Sequence, residues 1–202
     1  MNDKFFSLSE EKQNKILNAG YYQFANNSYK KTSMSMIAEE AQISKSLLFH
    51  YFHNKKEFYL YLYKRALELI DEKIIIIDLD SDKDIIEIVS SYLLNKWNIL
   101  REHKYIFSFI YRVYYESDET LLKDLKEIRS SKMINSFMDI INKSNNDKMR
   151  YKEDFLQLVN IIIYTAEGFA YVNKELLINE PQKAVNEFMK LVNTLKKNFY
   201  KE

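Results

Sequence analysis

Three observations predict an all-α fold. The 202 residues include only two glycines and one proline, so hairpins and tight strand turns have little to be built from. Apolar residues recur at three- and four-residue spacing in segment after segment, the period of an amphipathic helix. Between those segments stand Ser, Thr, Asn or Pro at positions that suit helix starts. The length is enough for one large or two small domains with a real core.

The elements follow in order. A first helix is expected from about Leu8, where Ser7 and Glu10 have capping-box spacing, with Ile16, Gly20 and Phe24 repeating every four residues. Met34, Ile37, Ala38 and Ala41 then fall at i, i+3, i+4 and i+7, one face of a short helix. Thr32 or Ser33 can cap its first turn. Ile43 follows as an apolar plug, Ser44 as a second cap, and Leu48 and Phe52 as a second apolar spacing. Two short helices meeting across about three residues make a helix-turn-helix. Asn54 and Glu57 form a cap-like pair that opens a long helix to about Ile77.

The acidic Asp78–Asp84 is the best boundary. It separates a three-helix domain holding the helix-turn-helix, 1–67, from a helical domain, 68–202, with the fourth helix linking onward to about 77. Beyond it, Ile85, Ile88, Val89, Tyr92, Lys96 and Leu100 share a helix side, with Trp97 adjoining. Tyr105–Tyr115 is apolar or aromatic nearly throughout, so burial on all sides is expected. A helix from about Glu119 to Asn142 turns Leu121, Leu125, Ile128, Met133, Phe137 and Ile140 inward, and Ser144–Asp147 is a loop. One continuous helix is expected from about Lys152 to Leu177. Pro181, near N1, opens the last, to about Tyr200.

Composition narrows the chemistry. Net charge is +1, and residues 1–60 carry eight lysines against six acidic residues. Nucleic-acid affinity would therefore rest on a local patch: Lys30, Lys31, Lys45, Lys55 and Lys56. The absence of cysteine removes thiolate and disulfide chemistry and fits a cytoplasmic location. No signal peptide is read at the N-terminus. The longest aliphatic run, Ile74–Ile77, is far below a membrane span, so no membrane partner is expected. Of the three histidines, His50 and His53 straddle a helix end without a third ligand at metal spacing. No metal, cofactor or catalytic residue is expected, and the chain does not read as an enzyme. Its high Lys, Ile, Asn and Tyr content is what an AT-rich genome produces, so the sixteen tyrosines carry little argument by number alone.

Three constellations remain. On the second short helix, the face opposite Leu48 and Phe52 carries Lys45, Ser46, Leu47, His50 and Tyr51. Lys45, Ser46, Leu47 and His50 would face base edges in a major groove, lysine donating to guanine and Leu47 packing on a thymine methyl. Thr32, Ser33, Ser44, Tyr51, Lys55 and Lys56 would complete the DNA-binding set, chiefly at phosphates. Spacing alone also suits a solvated face of an ordinary helical hairpin. The second constellation is a dimer surface, with Ala166, Gly168 and Ala170 letting backbones approach and Phe188 and Val192 in an apolar stripe; the same residues could close an internal core. The third is a cavity for a small hydrophobic or aromatic effector, lined by Tyr92, Trp97, Phe107, Tyr111, Tyr114, Phe137, Tyr164 and Glu167. Aromatics at helical spacing also commonly fill cores, and Glu167 could instead pair across a dimer.

The string TSMSMIAEEAQISKSLLFHYFHNKKEF resembles the DNA-binding motif of the TetR family of bacterial transcriptional regulators. The likeness is carried by Thr32, Ile37, Ala38, Ala41, Ile43, Ser44, Lys45, Leu48, Tyr51, Phe52, Lys55 and Glu57, with Phe58 in the usual leucine place. It extends back over Ile16, Leu17, Ala19, Phe24 and Tyr29. Ser28, Gln42 and Ser46 stand where the family usually has glycine, and Phe49 where it usually has tyrosine. A left-handed turn at Gln42 would cost about 1–2 kcal/mol without glycine. The resemblance implies a ligand-responsive regulator, a repressor by default, binding a palindromic operator as a homodimer through a bundle of its last two long helices. The alternative is an architectural or division-linked DNA binder without a small-molecule switch.

Overall fold

The computed structural model describes residues 3–73, 84–129 and 147–201. Among these the secondary structure is helical, apart from one isolated antiparallel bridge between Met149 and Tyr200. The helices are α1 (Asp3–Phe6), α2 (Glu10–Asn26), α3 (Met34–Glu40), α4 (Lys45–Tyr51), α5 (Lys55–Lys73), α6 (Ile85–Glu102) and α7 (Lys104–Tyr114). They continue with α8 (119–129 within the described residues), α9 (Phe155–Val172, preceded by a 3₁₀ turn, Lys152–Asp154), α10 (Lys174–Asn179) and α11 (Pro181–Phe199). The chain divides into two compact units, one of Met1–Asp71 with His103–Lys132, the other of Glu72–Glu102 with Met133–Glu202.

The first unit is larger than the expected 1–67 because α7 packs along α2. Phe109 is fully buried, with its ring centroid 5.1 Å from Tyr59 and 5.5 Å from Tyr21. Arg112 Nε donates to Ala25 O at 2.7 Å, so its guanidinium caps carbonyls that the last turn of α2 leaves open. Burial raises the pKa of Tyr21, whose hydroxyl donates to Leu62 O at 2.9 Å. The expectation that Tyr105–Tyr115 is buried all round does not hold. Phe107, Phe109 and Val113 are buried, while Tyr105, Tyr114 and Tyr115 are exposed.

The N-terminus also differs from expectation. A separate short α1 precedes α2, and Ser9, not Ser7, stands at the N-cap, without a side-chain bond. The Ser7 hydroxyl instead donates to Lys4 O at 2.8 Å. Phe5 is the reason for the extra turn. It is fully buried and edges onto Tyr51 and Tyr61, with Phe52 at 4.9 Å. Asn54 behaves as expected, its Oδ1 accepting from Glu57 N at 2.8 Å at the start of α5.

The turn between α3 and α4 is a Schellman motif. Ile43 N–H reaches back to Ala38 O at 2.9 Å and Gln42 N–H to Glu39 O at 3.0 Å, the two bonds that close a helix through a left-handed residue. That residue is Gln42, at φ 56°. The turn therefore keeps left-handed geometry without glycine, and the Gln42 side chain accepts from Lys15 Nζ at 2.6 Å.

In the second unit α6, α9 and α11 pack around Ile85, Ile88, Val89, Leu158, Ile162 and Phe188. The expected continuous helix from Lys152 is interrupted at Asn173, whose Nδ2 donates to Phe169 O at 3.0 Å and ends α9. Pro181 opens α11 as expected. Lys152–Val172 is long and apolar enough, by length and composition, to cross a membrane, at mean hydropathy 1.4. Most of the expected boundary segment Asp78–Asp84 lies outside the described residues, but Asp84 is no solvated linker residue. It is buried and caps α6, its Oδ1 accepting from Glu87 N at 3.0 Å. Lys196 Nζ lies 3.0 Å from its Oδ2 and 2.9 Å from Glu87 Oε1. Met133, Phe137 and Ile140 lie outside the described residues.

Two stability outcomes are expected. Replacing Gln42→Gly removes left-handed strain and should stabilise the chain by about 1 kcal/mol in urea unfolding, less whatever the Lys15 bond contributes; equal or lower stability would show the turn unstrained. At Asp84, burial opposes the charge, but the Tyr200 hydroxyl, the Glu87 N–H and Lys196 outweigh it and hold the carboxyl below its ordinary 3.8. A depressed carboxylate contributes stability that is complete above the unfolded value and lost as pH falls through the folded one. Thermal unfolding should thus lose stability below about pH 4, and Asp84→Asn should flatten that acid limb; an identical limb in the variant would remove Asp84 as its source.

Candidate nucleic-acid interface

Two serines set the helix-turn-helix. Ser33 Oγ accepts from Met36 N at 3.2 Å at the start of α3, and Ser44 Oγ from Leu47 N at 3.1 Å at the start of α4. Both are side-chain N-caps of the kind their positions predict. Leu48 is fully buried, and Tyr51 and Phe52 join it inside. Lys45, Ser46, Leu47, Phe49 and His50 are left on the surface of α4. The helix carries no carboxylate. Lys45 Nζ stands 6.0 Å from the Phe49 ring centroid, and the Ser44 and Ser46 hydroxyls are 3.0 Å apart. A donor-rich convex face one helix wide is the shape that enters a major groove.

Several residues expected at phosphates are bonded within the chain. Thr32 is buried, its hydroxyl donating to Ser28 O at 3.1 Å. Tyr51 is only 7% exposed; it stands three residues after Leu48, a spacing that puts it on the same, inward side. Lys55 Nζ donates to Tyr29 O at 2.8 Å and Thr32 O at 3.0 Å, and sits 4.2 Å from the Tyr29 ring centroid. It clamps the loop that leads into α3. Burial lowers its pKa, partly offset by Asp118 and Glu116. Lys56 Nζ donates to Thr120 O at 2.7 Å and pairs with Asp124 at 2.7 Å. The exposed members of the expected set are thus Ser33, Ser44, Lys45, Ser46, Leu47 and His50, with Lys30 and Lys31 exposed before α3. Phe49 is the face residue that the sequence reading left out; its place four residues after Lys45 was the available signal.

The residues of the other two constellations are placed as follows. Ala166 and Ala170 are buried inside the second unit, as are Phe188 and Val192. Gly168 faces outward, with open space where a Cβ would stand. Residues two apart on a helix point to nearly opposite sides, so the three small residues never formed one stripe. The outward face of α9 is nonetheless apolar: Leu156, Ile161, Tyr164, Tyr171 and Val172 are exposed. Of the expected pocket residues, Phe107, Tyr111 and Tyr114 belong to the first unit, and Tyr92, Trp97, Tyr164 and Glu167 to the second. Phe137 lies outside the described residues. Trp97 is buried, stacked on Phe169 at 5.7 Å and edge-on to Phe188 at 4.8 Å. Glu167 pairs with Lys96 at 2.8 Å, and Tyr164 is 67% exposed.

Comparison with known proteins agrees with this geometry. The family described as bacterial regulatory proteins, tetR family, matches residues 16–62. No curated protein sequence matches the chain. Among solved structures, a TetR family transcriptional regulator from Chloroflexus aurantiacus is similar at TM-score 0.69 and 18% identity, covering 100% of this chain and 99% of that one. The ketosteroid transcriptional regulator KstR2 of Mycobacterium tuberculosis is similar at 0.67 and 16%, covering 96% and 97%. SmeT, the repressor of the Stenotrophomonas maltophilia multidrug efflux pump SmeDEF, is similar at 0.63 and 13%, covering 93% and 90%. Residues 16–62 thus match the TetR-family helix-turn-helix domain, and the chain has the fold of the TetR-family transcriptional regulators.

Proposed function

We propose that this chain is a ligand-responsive repressor that binds a palindromic operator as a homodimer. The observation that carries the reading is α4, held by Leu48, Tyr51 and Phe52 so that Lys45, Ser46, Leu47, Phe49 and His50 stand outward on a helix without carboxylates. Lys45, Ser46 and His50 supply donors to base edges. Ser33, Ser44, Lys30 and Lys31 supply phosphate contacts, which set register rather than sequence. A twofold dimer would place two such helices roughly 34–36 Å apart, one turn of duplex, on a palindrome.

The outward face of α9 supports the dimer. Tyr164, Gly168 and Tyr171 follow one another at four- and three-residue spacing, hence along one side, and Tyr164 and Val172 are 67% and 76% exposed. A monomer gains nothing by displaying so much apolar surface, and Gly168 lets a second backbone come close. The effector would act within the second unit, where α6, α9 and α11 meet. Acyl and steroid compounds are suitable probes, since the similar KstR2 is named for ketosteroids and a similar Clostridium perfringens regulator for fatty acid metabolism. One observation favours the architectural reading without a switch: Trp97, Phe169 and Phe188 pack on each other where an effector would have to enter.

Selection of bound duplex from a random pool, with the native chain and a Lys45→Ala/His50→Ala variant, should enrich a palindrome that the variant fails to select. Affinity for that duplex should fall about 5–150-fold with an acyl or steroid probe, the range of a 1–3 kcal/mol allosteric coupling. Sequence-blind, salt-sensitive binding would move the reading toward the architectural role; specific binding unmoved by every probe would remove the switch alone. Tyr164→Glu should convert a dimer to monomer in sedimentation velocity without unfolding it. An unchanged sedimentation coefficient would place the dimer surface elsewhere.

A further inference from the structure

Two large apolar side chains on α4 stand partly outside its buried face. Leu47 is 36% exposed and Phe49 37%, on a seven-residue helix whose buried face is already made by Leu48 and Tyr51. At about 100° per residue, Ser46 and His50 form the centre of the outward face. Leu47 lies on one flank, and Phe49 with Lys45 on the other, about 160° from Leu47. The result is a polar centre between two apolar shoulders.

The side chains of Leu47 and Phe49 can neither donate nor accept a hydrogen bond, so neither can hold a phosphate or read a base heteroatom. In a major groove the one apolar feature on offer is the 5-methyl group of thymine. The groove is about 12 Å wide and admits a helix whose two flanks face the two strands. The occupant must be anionic as well as partly apolar, because Lys45 stands beside Phe49 and no carboxylate lies on the helix.

We propose that Leu47 and Phe49 each read a thymine 5-methyl group, on opposite strands, on either side of the base pairs faced by Ser46 and His50. This rests on the DNA-binding reading above and deepens it to a base identity at two positions of each half-site. It also gives Phe49 a task that does not need a hydroxyl.

The test uses the full chain and the duplex it selects. Each thymidine is replaced in turn by deoxyuridine, which removes the methyl and leaves base pairing intact. Two positions per half-site should each lose about fourfold in affinity, the worth of one buried methyl-sized group. Phe49→Ala should bind more weakly and become indifferent to uracil at one of these positions, Leu47→Ala at the other. Phe49→Tyr, which keeps the ring, should stay sensitive. Both side chains are exposed, so truncation leaves the Leu48–Phe52 packing in place, and unchanged thermal unfolding of the variants checks this. A flat uracil series on a specifically selected duplex would overturn this inference and leave the DNA-binding reading standing. Failure to select any sequence would overturn both.

Discussion

The burial of one side of α4 is the constraint on which the rest of the first unit depends. A seven-residue helix has no stability of its own in water, because the cost of nucleation is spread over too few bonds. It exists because Leu48 and Phe52 are fully buried, with Phe52 at 4.4 Å from Phe58 on α5 and 4.9 Å from Phe5 on α1. The same packing aims the opposite side outward. Reading face and core are therefore one decision, made by residues three and four apart. The left-handed turn at Gln42 serves that decision. It ends α3 soon enough, and at the right angle, for α4 to reach the α5 side of the core.

Some cations of this unit are turned toward its own main chain and others are not. Lys55, Lys56 and Arg112 donate to main-chain carbonyls at Tyr29, Thr32, Thr120 and Ala25. They satisfy acceptors that loops and helix ends leave open, and they tie α2, α5, α7 and α8 together around the motif. Lys45, Lys30 and Lys31 remain on the surface. A modest surplus of positive charge thus need not be a weak DNA signal, because affinity depends on which ammonium groups remain outside.

The all-helical class, the position of the helix-turn-helix, the Ser33, Ser44 and Asn54 caps and Pro181 at the start of α11 were legible in the sequence, because each depends on neighbours within about four residues. The candidate interface was legible only in part. Tyr51 reads from sequence as part of the outward face and Thr32 as a phosphate donor, although both are buried. Lys55 reads from sequence as a free cation at a helix start; only its loop partners, more than twenty residues away in the chain, make it a clamp.

What the sequence determined by itself was local: period, capping, and the family signature within residues 16–62. Tertiary structure alone decided that α7 belongs with α2, that Asp84 is a buried cap held by Lys196 and Tyr200, and that Trp97 is core. It also decided that α9 shows solvent a large apolar face. The physical reason is the same in each case. Burial is set by which distant element arrives, and a helix carries no record of whether its apolar side will meet its own chain or be left for another.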